Sequence, residues 1–262
     1  MRISQINFDG VDLISSQSKF YIDGLLDIEK EITINETYDG YSYNSSKIKS
    51  KKLALNGYLF DTSFSFLSKL NSLFSANRLH KISLNIDYLG EVYCYAEIEN
   101  VVKPKESRKM SIKLIMVEPY LYSINPIELS LGTVSNNGIV FPLTFPVTFG
   151  TTTGAEAIIN NIGNTTAYPV ITVVGACSNI SVTNQTTNES MNLNVNLGAN
   201  DVLVIDNRPS TRSIWLNGTK RMDLKSSGGW ISCISGDNTF IFQRVSNEIK
   251  QHCTINLQSR YI

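Results

Sequence analysis

His80 and His252 are the only two histidines among the 262 residues, so any Ser–His–Asp relay would have to use one of them. Such a relay holds its nucleophile on a strained turn beside the base, and no Gly-x-Ser-x-Gly elbow occurs in the sequence. His80 follows a helical stretch and reads as a capping or surface residue. His252 lies beside the final strand and reads the same way. Carboxylates alternate at Glu29/Glu31 and at Glu97/Glu99. Side chains two apart on a strand point to one face, and two carboxyls at suitable separation can run glycoside hydrolysis. A solvent-facing edge of a half-buried strand explains both pairs without chemistry. No phosphate-binding loop, dinucleotide fingerprint, calcium loop or His-Glu-x-x-His helix is present. The residue types therefore point to no catalytic centre, no metal and no cofactor, and function is expected to be carried by surfaces.

Cys94, Cys177, Cys233 and Cys253 are dispersed, without the close pairs of zinc sites, and read as buried free thiols. Seven Asn-x-Ser/Thr sequons begin at Asn35, Asn44, Asn164, Asn179, Asn184, Asn188 and Asn217. The N-terminus has no apolar run of signal-peptide length and no later run approaches a membrane span. The sequons thus follow from an Asn/Ser/Thr-rich composition, and the chain is expected to be made in a cytoplasm and not inserted in a membrane. Basic and acidic residues number 23 each, so the basic excess that a sequence-independent grip on nucleic acid requires is missing. The local cluster Lys47-Ile-Lys-Ser-Lys-Lys52 reads as a solvated strand or loop. Trp215 and Trp230 are candidate surface aromatics for a sugar platform. Trp215 precedes the Asn217-Gly218 turn and Trp230 opens a strand, so covering a core is the competing role.

The elements that must position these residues are mostly strands. Ile28–Ile34 and Lys52–Tyr58 are strand-like, and the polar, tyrosine-rich Asn35–Asn44 joins them as a long hairpin with a projecting tip at Asp39-Gly40. One helix is expected over 63–76, with Phe64, Leu67, Leu70, Leu73 and Phe74 as its apolar stripe and Asp61, Thr62 or Ser63 as N-cap. Strands resume at Ile82–Tyr88, Gly90–Ile98 and Met110–Val117. From about 123 to 154 prolines (Pro126, Pro142, Pro146) mark an extended crossing. The last third alternates short β-branched segments (Pro169–Gly175, Asn192–Leu197, Val202–Asp206, Thr239–Phe242) with turn signals, which is the pattern of a sandwich or barrel. Two domains follow, 1–122 and 123–262, in keeping with a length slightly above what one core serves.

Four groups of residues resemble the distal tail proteins of long, non-contractile bacteriophage tails, which occur in prophages of Gram-positive bacteria. They are Ile6-Asn-Phe-Asp-Gly-Val-Asp-Leu13 with Gly24-Leu25 and Tyr38-Asp-Gly40; the helix followed by strands ending in Glu118-Pro-Tyr-Leu-Tyr122; Val140-Phe-Pro-Leu-Thr-Phe-Pro146; and the C-terminal series from Asn164 to Phe242. The resemblance implies a split-barrel, tail-tube-like N-terminal domain that closes into a hexameric ring, and a galectin-like C-terminal β-sandwich. It also implies a place at the virion tail tip, between the tail tube protein and the tail-associated and receptor-binding proteins. Tyr38, Asp39, Gly40, Tyr41 and Tyr43, on the hairpin tip, are the expected subunit contacts, since tyrosine is favoured in interfaces. A carbohydrate-binding or adhesion sandwich is the alternative.

Overall fold

The structure, a computed structural model, describes residues 2–38, 40–102, 108–131, 154–245 and 252–262. Within them the protein is mainly β, with one α-helix, as the residue patterns indicate. It divides into two units, Met1–Ile124 with Tyr261–Ile262, and Asn125–Arg260. The motif Val140–Pro146, and with it most of the proline-rich crossing, lies outside the described residues.

The first unit runs β1 (Ile3–Phe8), β2 (Val11–Asp12), β3 (Ser18–Asp23), β4 (Lys30–Thr37), β5 (Gly40–Ile48), β6 (Lys51–Leu59), α1 (Phe64–Phe74), β7 (His80–Ile86), β8 (Gly90–Val102), β9 (Lys109–Met116) and β10 (Leu121–Ser123). Its main sheet has the order β2-β1-β7-β8-β9-β6-β3, with β10 beside β8. β8 is long enough to serve two neighbours: its first half pairs with β7 and its second with β9. A bulge between Ile98 and Asn100 marks the handover, where an extra residue bends a strand. The sheet does not close into a barrel. Its ends are stitched by one residue, since the Leu13 N–H donates to the Ile6 carbonyl (2.8 Å) and its own carbonyl accepts the Phe20 N–H (3.2 Å). Alternate residues of β6 (Leu53, Leu55, Leu59) are buried with Phe20, Ile112 and Leu114 in one core. Gly57 takes the intervening inward position, because a Cβ there would stand 2.3 Å from the Phe20 ring.

Ser63 caps α1 as expected, its hydroxyl accepting the Phe66 N–H at 3.4 Å. The buried stripe is Phe66, Leu70 and Phe74, flanked by the partly buried Leu67 and Leu73. Phe64, placed in that stripe by spacing alone, is 88% exposed. It precedes Phe66 by two residues, and two residues on an α-helix are 200° apart, so the two cannot share a face. The helix also ends sooner than 63–76, at Phe74 with Ser75 as its cap.

The second unit comprises β11 (Ile127–Leu131), β12 (Gly154–Asn161), β13 (Val170–Val174), β14 (Cys177–Asn184), β15 (Glu189–Leu197), β16 (Val202–Asp206), β17 (Ser213–Leu216), β18 (Thr219–Lys220), β19 (Lys225–Gly228), β20 (Gly236–Val245) and β21 (His252–Leu257); at β22 (Arg260–Tyr261) the chain crosses back to the first unit. One sheet is ordered β11-β21-β13-β16-β17-β18 and the other β12-β20-β14-β15-β19. Ile171, Val173, Leu203, Ile205 and Ile255 from one meet Ile180, Val182, Leu193, Phe240 and Phe242 from the other in a single core. Two sheets sharing one apolar layer make a sandwich.

The abundance of asparagine has a local cause. Asn179, Asn188 and Asn217 have φ near +50°, a region asparagine tolerates better than most residues. Asn184 is fully buried and donates from Nδ2 to the Ser232 carbonyl (2.7 Å) and to Asn238 Oδ1 (3.1 Å). Four of the seven sequon asparagines are thus accounted for by turn or core geometry.

Candidate functional site

Between β3 and β6 the chain leaves the main sheet of the first unit as an arm. β4 and β5 pair only with each other, and every described side chain from Leu26 to Lys47 is exposed. The ladder continues to Thr37 opposite Gly40. The turn therefore starts at Tyr38, one residue before the Asp39-Gly40 expected from sequence, and Gly40 already belongs to β5. Tyr38 and Tyr43 project into solvent. Asp39 and the Tyr41 side chain lie outside what the structure describes.

The register sorts the arm into two faces. Ile32 stands opposite Ser46, and Ile34 opposite Tyr43 after a one-residue shift, so these residues share one face. Ile32 is 61%, Ile34 52% and Tyr43 67% exposed. Glu31 and Thr33 are on the other face, opposite Lys47 and Ser45, with a Glu31–Lys47 pair at 3.6 Å. Sequence reasoning singled out the tip tyrosines and not Ile32 and Ile34, which are exposed on the same arm. The signal was their alternation with Glu31, Thr33 and Asn35, which marks a strand with one apolar face. A two-stranded hairpin is marginal in water on its own, and this one carries its apolar face uncovered.

A second feature grows from the Asp9-Gly10 turn inside the first resemblance motif. Phe8 pairs with Val11, and Asp9 and Gly10 have φ of 49° and 89°, the two-residue turn with positive φ at both positions that suits a twisted hairpin. The Asp9 carboxylate accepts from Arg78 (2.9 Å), from the Lys81 N–H (2.9 Å) and from His80 Nδ1 (2.7 Å). His80 Nε2 faces the Ala76 carbonyl at 3.1 Å. His80 is fully buried, against Phe8 at 4.9 Å between rings. It is thus neither a surface residue nor a general base for an open site, and the carbonyl it meets, Ala76, lies beyond the Ser75 cap of α1, so it does not cap the helix. Burial works to raise the Asp9 carboxyl, but the hydrogen bonds from His80 and Lys81 and the charges of His80 and Arg78 hold it below its ordinary value. An open depression of about 450 Å³ beside this cluster is lined by Asn7, Asp9, Gly10, Arg78, Lys81 and Ser83.

The remaining sequence candidates are scattered. Glu99 is the bulged residue of β8, so it does not share a regular face with Glu97. Glu29 precedes β4, and Glu31 is paired with Lys47. In the lysine cluster Lys51 is buried, not solvated, and donates to the Leu25 carbonyl at 2.9 Å; burial lowers its ammonium against the pull of Asp27 and Cys94. All four cysteines are free and buried. Trp215 is 38% exposed, its Nε1 donating to Ser213 Oγ at 2.8 Å. Trp230 is half-buried against the sandwich core. His252 is exposed on β21. Among the described residues no group of His, Cys, Asp or Glu is arranged to hold a metal ion, and no helix is long and apolar enough to cross a membrane.

Residues 162–261 match the family model for the siphovirus-type tail component, C-terminal domain. The second unit is thus similar in sequence to that domain. The whole chain is similar in structure to the Dit protein of phage SPP1, described as a paradigm of the hub adsorption apparatus in phages infecting Gram-positive hosts. That likeness has a TM-score of 0.69 at 13% identity, covering 98% of this chain and 99% of that one. It is also similar to chains of the phage P2 baseplate in its activated conformation. With Ca the TM-score is 0.54 at 10% identity over 99% of this chain and 98% of that one; with Sr it is 0.51 at 11% identity over 96% and 97%. No curated protein matches in sequence. At such identities the structural likeness is one of fold, and it spans both units. The resemblance to the distal tail proteins is borne out by both comparisons.

Proposed function

We propose that the protein is a structural component of a siphophage tail tip, a distal tail protein that closes into a homohexameric ring through its first unit. It would join the tail tube to the baseplate or receptor-binding parts, and be made in the bacterial host cytoplasm before assembly. The observation that carries this reading is the end-to-end likeness to a hub adsorption protein, supported by the family match at 162–261. The arm supports self-assembly: a cyclic ring is built from two different surfaces on each subunit, and a projecting apolar face is one of them. Catalysis has no part in it, since His80, Glu31 and the cysteines are each occupied structurally.

Light scattering of purified protein at high concentration should find a mass of roughly 175 kDa, six times the 29.2 kDa chain, with rings carrying a central hole in micrographs. A strict monomer, together with no ring in assembled tails, sinks the proposal. The half-exposed Trp215 keeps one alternative open to test, a glycan-binding sandwich. Trp215→Ala should leave a glycan array blank both before and after the substitution. Specific binding by the parent protein that the variant loses would favour adhesion.

A further inference from the structure

The Asp9–His80 cluster carries an inference independent of the ring. Both ring nitrogens of His80 meet groups that accept: a carboxylate at 2.7 Å and a backbone carbonyl at 3.1 Å. A neutral imidazole has one N–H and one bare nitrogen. With no solvent access, the bare nitrogen would be pressed against an oxygen lone pair at one of the two contacts. A shared proton moved onto Asp9 does not resolve this well, because the carboxylate already accepts from the Lys81 N–H and from Arg78. We propose that His80 is held as the doubly protonated imidazolium and acts as a proton-operated latch, tying the turn after β1 to the chain just past α1.

The groups facing it from each element are few. Asp9 comes from the β1–β2 turn, the Ala76 carbonyl from the segment after α1, and the Phe8 ring from β1, itself 5.3 Å edge to face from Phe74 of α1. Arg78 and Lys81 are the nearby cations, and the Lys81 ammonium sits over the Tyr93 ring of β8 at 4.5 Å. One carboxylate thus serves a ring of donors, and the lowered Asp9 carboxyl agrees with its being the ionised partner. Losing the His80 proton leaves one of its two bonds unmade. The turn then keeps its ties to Arg78 and to Lys81, whose backbone N–H donates to the Asp9 carboxylate at 2.9 Å and whose carbonyl accepts the Asp9 N–H at 3.0 Å. The depression lined by Asp9, Gly10 and Arg78 loosens with it.

Long-range proton–nitrogen spectra of the full chain, labelled at histidine, test this directly. At about pH 7.5 His80 should show both nitrogens protonated. In Asp9→Asn the ring should revert to a single N–H tautomer at that pH, and amide exchange at Gly10 and Lys81 should speed by tenfold or more. If Asp9→Asn does not fold, the parent spectrum decides alone. A bare nitrogen on His80 at that pH, or a doubly protonated ring that survives in Asp9→Asn, overturns the proposal.

Discussion

Asp9 serves two purposes with one side chain: it tolerates the positive φ of a tight turn, and its carboxylate gathers Arg78, His80 and Lys81. Asp206, at the end of β16, gathers donors in the second unit, holding Arg208 through two nitrogens (2.9 and 2.7 Å) and Thr211 (2.7 Å). Burial tends to raise the Asp206 carboxyl, but these bonds hold it below its ordinary value too. A carboxyl lowered in the folded state adds stability above its unfolded value of about 3.9, and that stability is lost as pH falls through the lowered value. Equilibrium unfolding followed from about pH 6 down to pH 2 should therefore show the parent losing stability mainly below about pH 4. Asp206→Asn should be less stable at neutral pH by about 1–3 kcal/mol and flatter across that window. The cysteines give a second residue-scale test. Burial pushes Cys94, Cys233 and Cys253 up to about 12, and Cys177 is raised by the same cause. A thiol-reactive chromophore at about pH 8 should leave the native protein unlabelled and titrate all four after denaturation.

At the scale of elements, strand against helix was legible because periods of two and of about 3.6 leave different stripes. What spacing could not fix was the phase. Phe64 and Phe66 both fit a loose three-or-four rule, and only the wheel angle separates them. Phe66→Ala should cost about 3–5 kcal/mol in chemical denaturation, whereas Phe64→Ala should change stability by less than about 0.5 kcal/mol. The arm was legible as a hairpin, but its uncovered face was not, because exposure depends on what the rest of the chain leaves unpacked. The Asp9 cluster was hidden for a related reason: Asp9 and His80 are 71 residues apart in sequence, and no local pattern signals a partnership across that gap. Replacing Ile32 and Ile34 together with Ser should leave the thermal unfolding of the monomer unchanged, since neither side chain is buried. The same double variant should shift the light-scattering mass towards a single chain. A ring that persists unchanged would place its closure elsewhere than on this face.

At the scale of the whole molecule the two units are unequal in what they own. Each has a separate core. The last residues did not declare themselves, because a short polar-aromatic tail has no period to read. Tyr261 is buried in the core of the first unit, with Leu121 and the β6–β9 residues, although the chain reaches it only after completing the second. A fragment from Asn125 to Arg260 therefore keeps every side chain of its own core and should fold alone, β-rich by circular dichroism. A fragment ending at Ile124 lacks one of its core aromatics and should be less stable by about 3–5 kcal/mol than the same unit in the full chain. The full-length Tyr261→Ala variant separates this from a general effect of cutting. Hydrogen exchange should show lost protection along β8 and β9, while β13, β16 and β20 exchange as before. Equal loss in both units would mean that they unfold as one, and a silent variant would mean that the tail only rests on the first core without holding it.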